Sequence, residues 1–442
     1  MRDIFFLGFF MVILVVAYKK PFVAISLWLW TGIFVPVYWL YGFAELYRYN
    51  LIFSALGIGC YFIYQKNKEV KFDSLLFVIL LFFLHTTLTT ITTIAVPEVV
   101  WVTWENFMKV VVLTFFITLT FRKKIHFELL IWIMVLSIGF FGLIEGLKFI
   151  KSGGVHHIHG PVGHILSDNN HLAIAILMVI PLACYLYTQL KEKWIKMVLG
   201  GFICICVLSV FGTQSRGGFL GLLIVGGYFW LKAKRKILLL CLFGLLAFSA
   251  PHLLHESWFA RMSTIENAVE EDGSFQTRLI AWKIHTIMAI ERPVLGGGFK
   301  ASQFGYIWRE LAQKFYLLDF IPTPPAGSQG WAAHSIYFQV LGDHGFVGLF
   351  LFLLIMVLAF LKLSAIEKYY KGQWQAHLGA MIKVSLLAFC AAGAAVSLSY
   401  FELYYVLLAM IICFTLMKNK AQKAHAAAEK AAKLAQLTPA PP

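Results

Sequence analysis

Apolar residues run through this chain in long blocks separated by short polar joints. The blocks fall near residues 4–18, 21–40, 50–64, 74–96, 99–121, 127–150, 170–190, 195–212, 217–231, 236–251, 335–363, 376–399 and 402–417. A helix needs about 20 mainly apolar residues to cross the hydrocarbon core of a bilayer, and most blocks approach that length. The pattern predicts an all-α fold, a polytopic integral membrane helical bundle. Thirteen blocks cannot leave both chain ends on one face. The expectation is therefore about twelve transmembrane helices, with one short block among the first two or the last two not spanning by itself. No 34- or 40-residue repeat is visible.

One stretch breaks the rhythm. Residues 252–333 carry seven Lys/Arg and eight Asp/Glu, and they form a long loop between apolar blocks. Within it, Phe275, Leu279, Trp282 and Ile287 share one helical face while Arg278 and His285 share another, which predicts an amphipathic helix over 275–290. Pro293 stops that helix, Gly296-Gly297-Gly298 follows as a flexible turn, and Pro322–Gly327 leads the chain back to the membrane ahead of His334. An amphipathic helix at the interface makes a platform for a membrane-bound substrate; an inert cap is the plainer reading. The chain thus divides into about ten N-terminal transmembrane helices (1–251), a large periplasmic loop (252–333), C-terminal transmembrane helices (334–417) and a basic cytoplasmic tail (418–442).

Composition supports the bilayer reading. Of 442 residues, 60% are hydrophobic and 13% charged, against roughly 25% charged in a soluble domain. A mean hydropathy of +0.78 excludes a large water-soluble globule. Lys+Arg number 37 and Asp+Glu 22, a net charge of +15. The basic residues gather between apolar blocks, at 66–71, 122–124, 191–196, 232–236 and 418–433, and alternate with weakly charged joints at 97–98, 151–169 and 213–216. The positive-inside rule puts the basic joints in the cytoplasm and puts 213–216 and the stretch after 251 outside. The excess charge serves topology and anionic headgroups; no aromatic-rich basic groove for nucleic acid stands out. All seven cysteines lie in apolar blocks and read as small core residues, with neither a disulfide framework nor a zinc site. Met1-Arg2-Asp3 and the apolar block after it lack a small-residue cleavage site, which points to a retained first helix.

Ionisable groups at a membrane edge are costly, so each is a candidate for function. Arg216 sits in the short turn Gly212-Thr213-Gln214-Ser215-Arg216-Gly217-Gly218. A guanidinium beside glycines that let a ligand approach the backbone suits bidentate capture of phosphate; snorkelling to the interface is the alternative. Arg278 lies on the loop helix, where it is either a second anion ligand or an ordinary exposed charge. His334 is the last polar position before a long apolar block. Imidazole is well matched to proton transfer near neutral pH, though a lone interfacial histidine is common. His156, His157, His159 and His164, with Asp168 and His171 behind them, invite a zinc hypothesis, but no recognised zinc spacing is present. Headgroup and sugar contact is the other reading of that cluster, and no metal or other cofactor is expected.

The arrangement resembles the O-antigen ligase superfamily of ligases, polymerases and bacterial O-oligosaccharyltransferases. Three matches carry the resemblance across residues 160–400: the turn Ser215-Arg216-Gly217-Gly218; Arg278-Leu279-Ile280-Ala281-Trp282 followed by Arg292-Pro293-Val294-Leu295-Gly296-Gly297-Gly298; and His334-Ser335-Ile336-Tyr337 followed by Gly342-Asp343-His344-Gly345-Phe346-Val347-Gly348. Ser335 stands where the family usually has Asn, and Asp343 where Glu is common, which leaves the subfamily open. The opening Met1-Arg2-Asp3-Ile4 and the His-rich loop resemble the branch found with exosortase systems, which keeps a protein acceptor in play.

The resemblance implies a GT-C-like membrane glycosyltransferase in the bacterial inner membrane. Its donor would be a glycan on undecaprenyl diphosphate and its acceptor the lipid A–core oligosaccharide, joined on the periplasmic face. Arg216 and Arg278 would bind the donor diphosphate in place of a metal, and His334 would be the general base of an inverting transfer. Two rivals use the same donor: an O-antigen polymerase and a protein O-oligosaccharyltransferase. A transporter is a third, though charges inside the apolar blocks (His85, Glu105, Lys109, Glu145, Lys148, Lys383, Glu402) are sparse and mostly near ends.

Overall fold

The computed structural model describes residues 2–40, 42–66, 72–237, 244 and 273–437. Among them are fourteen α-helices and no strand: α1 (Arg2–Ala17), α2 (Pro21–Ile33), α3 (Tyr49–Tyr64), α4 (Ser74–Ile91), α5 (Pro97–Thr120), α6 (Lys124–Lys151), α7 (Asn169–Gln189), α8 (Lys193–Gly212), α9 (Arg216–Lys232), α10 (Gly273–Glu291), α11 (Gly305–Ala312), α12 (Ile336–Tyr369), α13 (Trp374–Ala392) and α14 (Glu402–Leu437). The protein is an all-α polytopic membrane bundle. Eight helices (α4 to α8 and α12 to α14) are long and apolar enough to cross a bilayer, and three shorter apolar ones fall at Asp3–Ala17, Pro21–Ile33 and Tyr49–Tyr64. These three, α9 and the block at 236–251 make up the rest of the thirteen apolar blocks; nearly all of 238–251 lies outside the described residues.

The helices begin where their sequences supply a start. Asp73 accepts from the amides of Leu75 (2.8 Å) and Leu76 (3.4 Å) and caps α4; Pro21 and Pro97 open α2 and α5, where the missing amide costs nothing. Helices α7 and α14 fill the centre, with 78% of each span window buried, while α8 at 28% faces outward. Around them α7 packs on α13, α5 on α14, α4 on α12, and α6 on α7 and α8. The last two spans are long, Trp374–Ala395 and Glu402–Ala431, so the short elements lie at the N-terminal end. There α1, α2 and α3 run antiparallel: the Asp3 carboxylate lies against Gly42, between α2 and α3, while Tyr18 meets Tyr64 at the other end of the bundle. At 16, 13 and 16 residues they measure only about 20–24 Å.

The long loop departs from its expected form. Its segment at 275–290, expected to be amphipathic, is helical as α10, within two residues of the expected bounds, but it packs along α12. Arg278 is partly exposed, whereas His285, expected on the same polar face, is 2% exposed and pressed against Gly342. The amphipathic element is instead α11, which buries Ile307, Trp308 and Leu311 and exposes Arg309 and Glu310.

Nor is Gly296-Gly297-Gly298 a flexible turn. Gly345 breaks α12 with φ 67° and ψ −170°. The carbonyls of Gly342 and Asp343, just before the break, accept from the amides of Gly297 and Gly298, both at 2.9 Å, and the amide of Phe346 donates to Pro293 at 2.8 Å. The Gly297 carbonyl in turn accepts from Thr93 Oγ1 (2.8 Å) and the Ile94 amide (3.1 Å) at the end of α4. A broken helix frees polar backbone that a bilayer interior does not tolerate, and the glycine segment satisfies it. Of the cysteines, Cys60, Cys206 and Cys413 are buried, but Cys204 is exposed.

Candidate active site

The starts of α7, α9, α12 and α14 come together at one end of the bundle. Asp168 caps α7, accepting from the amides of Asn170 (2.8 Å) and His171 (3.2 Å). Ser215 caps α9, accepting from the Gly218 amide at 3.0 Å, and donates to Asn170 Oδ1 at 2.7 Å. Asn169 Nδ2 donates to the Thr213 carbonyl at 2.8 Å. The Arg216 turn is thereby tied to the first turn of α7. Gly217 lies against Ala392 and Ala395, and Gly393 lies against Ile336, so the same turn sits one contact away from the start of α12.

His334 stands immediately before α12, fixed on both sides. Trp282 of α10 donates to the Ala333 carbonyl at 2.9 Å and stacks on Phe338 at 4.9 Å and 7°. Ser399 donates to the Ile336 carbonyl at 2.8 Å. His334 itself has φ +47°, a left-handed conformation uncommon for a residue other than glycine. Burial is the main reason its pKa falls below the ordinary histidine value. The Arg278 guanidinium lowers it further, His171 does so more weakly, and the Asp168 carboxylate opposes them. Burial would raise the Asp168 carboxyl, but the charge of His171 and the hydrogen bonds from Asn170 and His171 outweigh it and hold the group below the usual range. Arg278, His334, Asp168 and His171 thus form one electrostatic neighbourhood.

A cavity of about 860 Å³ opens beside His334 and runs between α2, α5 and α14. Asp168, His171, Lys300, Lys109 and Glu402 line it along with His334; Arg216 and Arg278 do not. Glu402 opens α14, and its carboxylate lies over Gly32 of α2, where a Cβ would stand 2.7 Å from Oε2. Lys109 donates to Asn106 at 3.2 Å, one turn along α5. Sequence reasoning noted Lys109 and Glu402 only as sparse charges near helix ends. The signal that finds Lys109 is the stripe Thr103, Asn106 and Lys109 on one face of α5, polar where a lipid-facing helix has no reason to be.

The histidine cluster disperses. His156 meets Glu145 at 2.7 Å, His157 donates to the Thr213 carbonyl at 3.0 Å, and His159 donates to His157 at 3.0 Å. Buried His164 accepts from the Leu166 amide at 3.0 Å and so donates through Nε2 to the Ile33 carbonyl at 2.9 Å, which pins its loop to α2. Among the described residues, no three His, Cys, Asp or Glu side chains lie close enough to hold one metal ion. His344, next to the third motif, is fully buried and outside the cavity. It donates to Thr89 Oγ1 at 2.6 Å, its carbonyl accepts from His85 at 2.9 Å, and Phe299 covers its ring. Asp343 is likewise structural, accepting from Tyr400 at 3.0 Å and the Lys300 amide at 3.1 Å. So is Arg292, which donates to the carbonyls of Gly296 (2.6 Å) and Thr92 (2.7 Å).

Residues 1–191 match the model of DUF5935, a family of unknown function, and residues 199–353 match that of Wzy_C, O-antigen ligase. No curated protein matches the chain. The ligase match contains Arg216, Arg278 and His334 together with all three motifs; Lys109 and Asp168 fall in the first match, and Glu402 lies beyond both. The family brings with it glycosyl transfer of the ligase or polymerase type on lipid-linked glycans. The domain at residues 199–353, about a third of the chain, is an O-antigen ligase domain by this match and supports the O-antigen ligase superfamily.

Proposed function

We propose that this glycosyltransferase is an O-antigen ligase, moving a glycan from undecaprenyl diphosphate to the lipid A–core oligosaccharide on the periplasmic face of the inner membrane. Residues 252–333 form its periplasmic loop, and 418–442 its cytoplasmic tail. Arg216 and Arg278 hold the donor diphosphate, each forking two donors to phosphate oxygens. The acceptor hydroxyl attacks the anomeric carbon as the carbon–oxygen bond to the diphosphate breaks. The bonding pair leaves on the diphosphate, and the hydroxyl proton passes to His334. One displacement inverts the anomeric centre. The two guanidinium groups stabilise the developing charge, so no divalent cation is required.

The observation that carries the reading is His334: an imidazole kept in its basic form by burial and by Arg278, held in a strained backbone, at the mouth of a polar cavity. A sugar hydroxyl is weakly acidic, and a positioned base contributes about 10²–10⁴ in rate. The acceptor is decided by incubating purified protein and a lipid-linked glycan with lipid A–core, with pilin, or with more donor alone. Product on lipid A–core supports the ligase. Product only on pilin, or only as longer lipid-linked glycan, replaces it with the corresponding transferase.

A further inference from the structure

The cavity is larger than proton transfer at its mouth requires. At about 860 Å³ it lies within the range of small-molecule sites, roughly 300–1,000 Å³. Much of its wall is built by α2, α5 and the start of α14, with Asn50 of α3 beside them, none of which falls in the ligase match at 199–353. Polar groups recur on that wall: Asn50, Thr31, Asn106, Lys109 and Glu402. Asn50 donates to Thr31 Oγ1 at 3.3 Å and Lys109 to Asn106 Oδ1 at 3.2 Å, so the lining is a hydrogen-bonded polar surface that the hydroxyls of a sugar can extend. Gly32 gives the Glu402 carboxylate its seat, because any larger residue there would displace it.

We infer that this part of the cavity, lined by α2, α5 and the start of α14, is the acceptor subsite, and that it takes an uncharged sugar residue. Two observations fix the class. First, the lining offers no excess of basic groups for an anion: two carboxyl groups, Asp168 and Glu402, stand against two amines, Lys109 and Lys300, around an imidazole held in its neutral form. A phosphorylated or carboxylated sugar would gain nothing there and would lose its hydration. Carboxylate, ammonium and amide side chains together match the hydroxyls of a neutral sugar, each of which donates and accepts. Second, the arginines that would hold the diphosphate do not line the cavity, whereas His334 does. A base must touch the accepting hydroxyl, so the residue that enters the cavity is the acceptor. Glu402 and Lys109 then determine specificity: they select the sugar without taking part in bond exchange.

This inference rests on the transfer reading but is tested through binding, which needs no turnover. Full-length protein in nanodiscs is titrated with a soluble acceptor oligosaccharide ending in a neutral hexose, and with the same glycan phosphorylated on its terminal residue. Trp28 in the cavity wall reports occupancy by fluorescence. The neutral glycan should bind at least tenfold more tightly than the phosphorylated one. Glu402→Gln should weaken neutral-glycan binding at least tenfold and leave the affinity for lipid-linked donor unchanged. Gly32→Ala, which only pushes the end of a flexible side chain, should act in the same direction without lowering the melting temperature. Equal binding of the two glycans, or wild-type affinity in both Glu402→Gln and Gly32→Ala, overturns the inference. Neutral-glycan binding without any transfer from lipid-linked donor leaves the subsite standing and overturns the transfer reading.

Discussion

Among the described residues, His334 is one of five non-glycine residues with positive φ, and four of them gather at the site. Val35, Lys300 and His334 line the cavity, and Gln214 precedes the Arg216 turn; only Lys19 lies elsewhere. Such residues cost roughly 1–3 kcal/mol each and persist where the surroundings over-determine them. A substitution that accepts the left-handed backbone should therefore recover stability while losing function. His334→Gly should melt above His334→Ala, with neither transferring glycan; a lower melting point for the glycine variant would show that the backbone there is unstrained. The pH dependence follows from the same residue. Only neutral imidazole accepts a proton, and its pKa lies below the ordinary 6.5. The rate should therefore hold as pH falls to about 6.5 and drop only below it. An acid limb centred above 7 would point to a different base. Arg216→Ala and Arg278→Ala should each reduce transfer at least tenfold, since a charge-assisted contact is worth about 1.5–3 kcal/mol. Lysine should rescue each in part, because a single ammonium cannot fork to two phosphate oxygens. Wild-type transfer by Arg278→Ala would reduce α10 to a lid.

The elements explain why three separated motifs make one unit. The second half of the loop motif, Arg292 to Gly298, is the hydrogen-bonding partner of the second half of the third motif, Gly342 to Phe346. Order and spacing along the chain were enough to mark the motifs, and helix starts could be read from Pro97, Asp168 and Ser215. The division of labour within the motifs could not be read. A glycine run is chemically silent about whether it bends freely or clamps a broken helix, and the answer here depends on Gly345, some 50 residues away. His285 misled for the same reason: periodicity describes one helix, and its burial comes from the helix packed against it. Asp168 was visible as part of a histidine-rich loop, but its place beside His334 depends on a tertiary contact. Gly345→Ala tests the clamp. Its Cβ would stand 2.5 Å from the Pro293 carbonyl oxygen at φ 67°. It should lower the melting temperature and weaken transfer, while Gly372→Ala, also at positive φ but in open space, should leave transfer unchanged. Equal transfer by the two variants would remove the clamp from the account.

At the scale of the whole molecule, composition and loop charge led directly to a helical membrane bundle, since no other architecture satisfies the backbone of so apolar a chain. The number of spans was harder to read, because apolar blocks of 13 to 17 residues look alike whether they cross or merely pack. Side-reporting tags at Lys234 and Ser274 should fall on opposite faces; the same face for both would refute the proposed topology. The bundle also joins two sequence regions in one site. The ligase region supplies Arg216, Arg278 and His334, and the region before it supplies most of the cavity wall. The central claim, that His334 removes the acceptor proton in a metal-independent transfer, is tested most directly by one comparison. Wild type and His334→Ala, both folded and matched for donor affinity, are given undecaprenyl-diphosphate-linked glycan and lipid A–core in excess EDTA, and ligated product is followed with time. Wild type should transfer at its full rate and His334→Ala at less than a few per cent of it. Sustained transfer by the variant, or activity in wild type that returns only with added zinc or magnesium, would contradict the account.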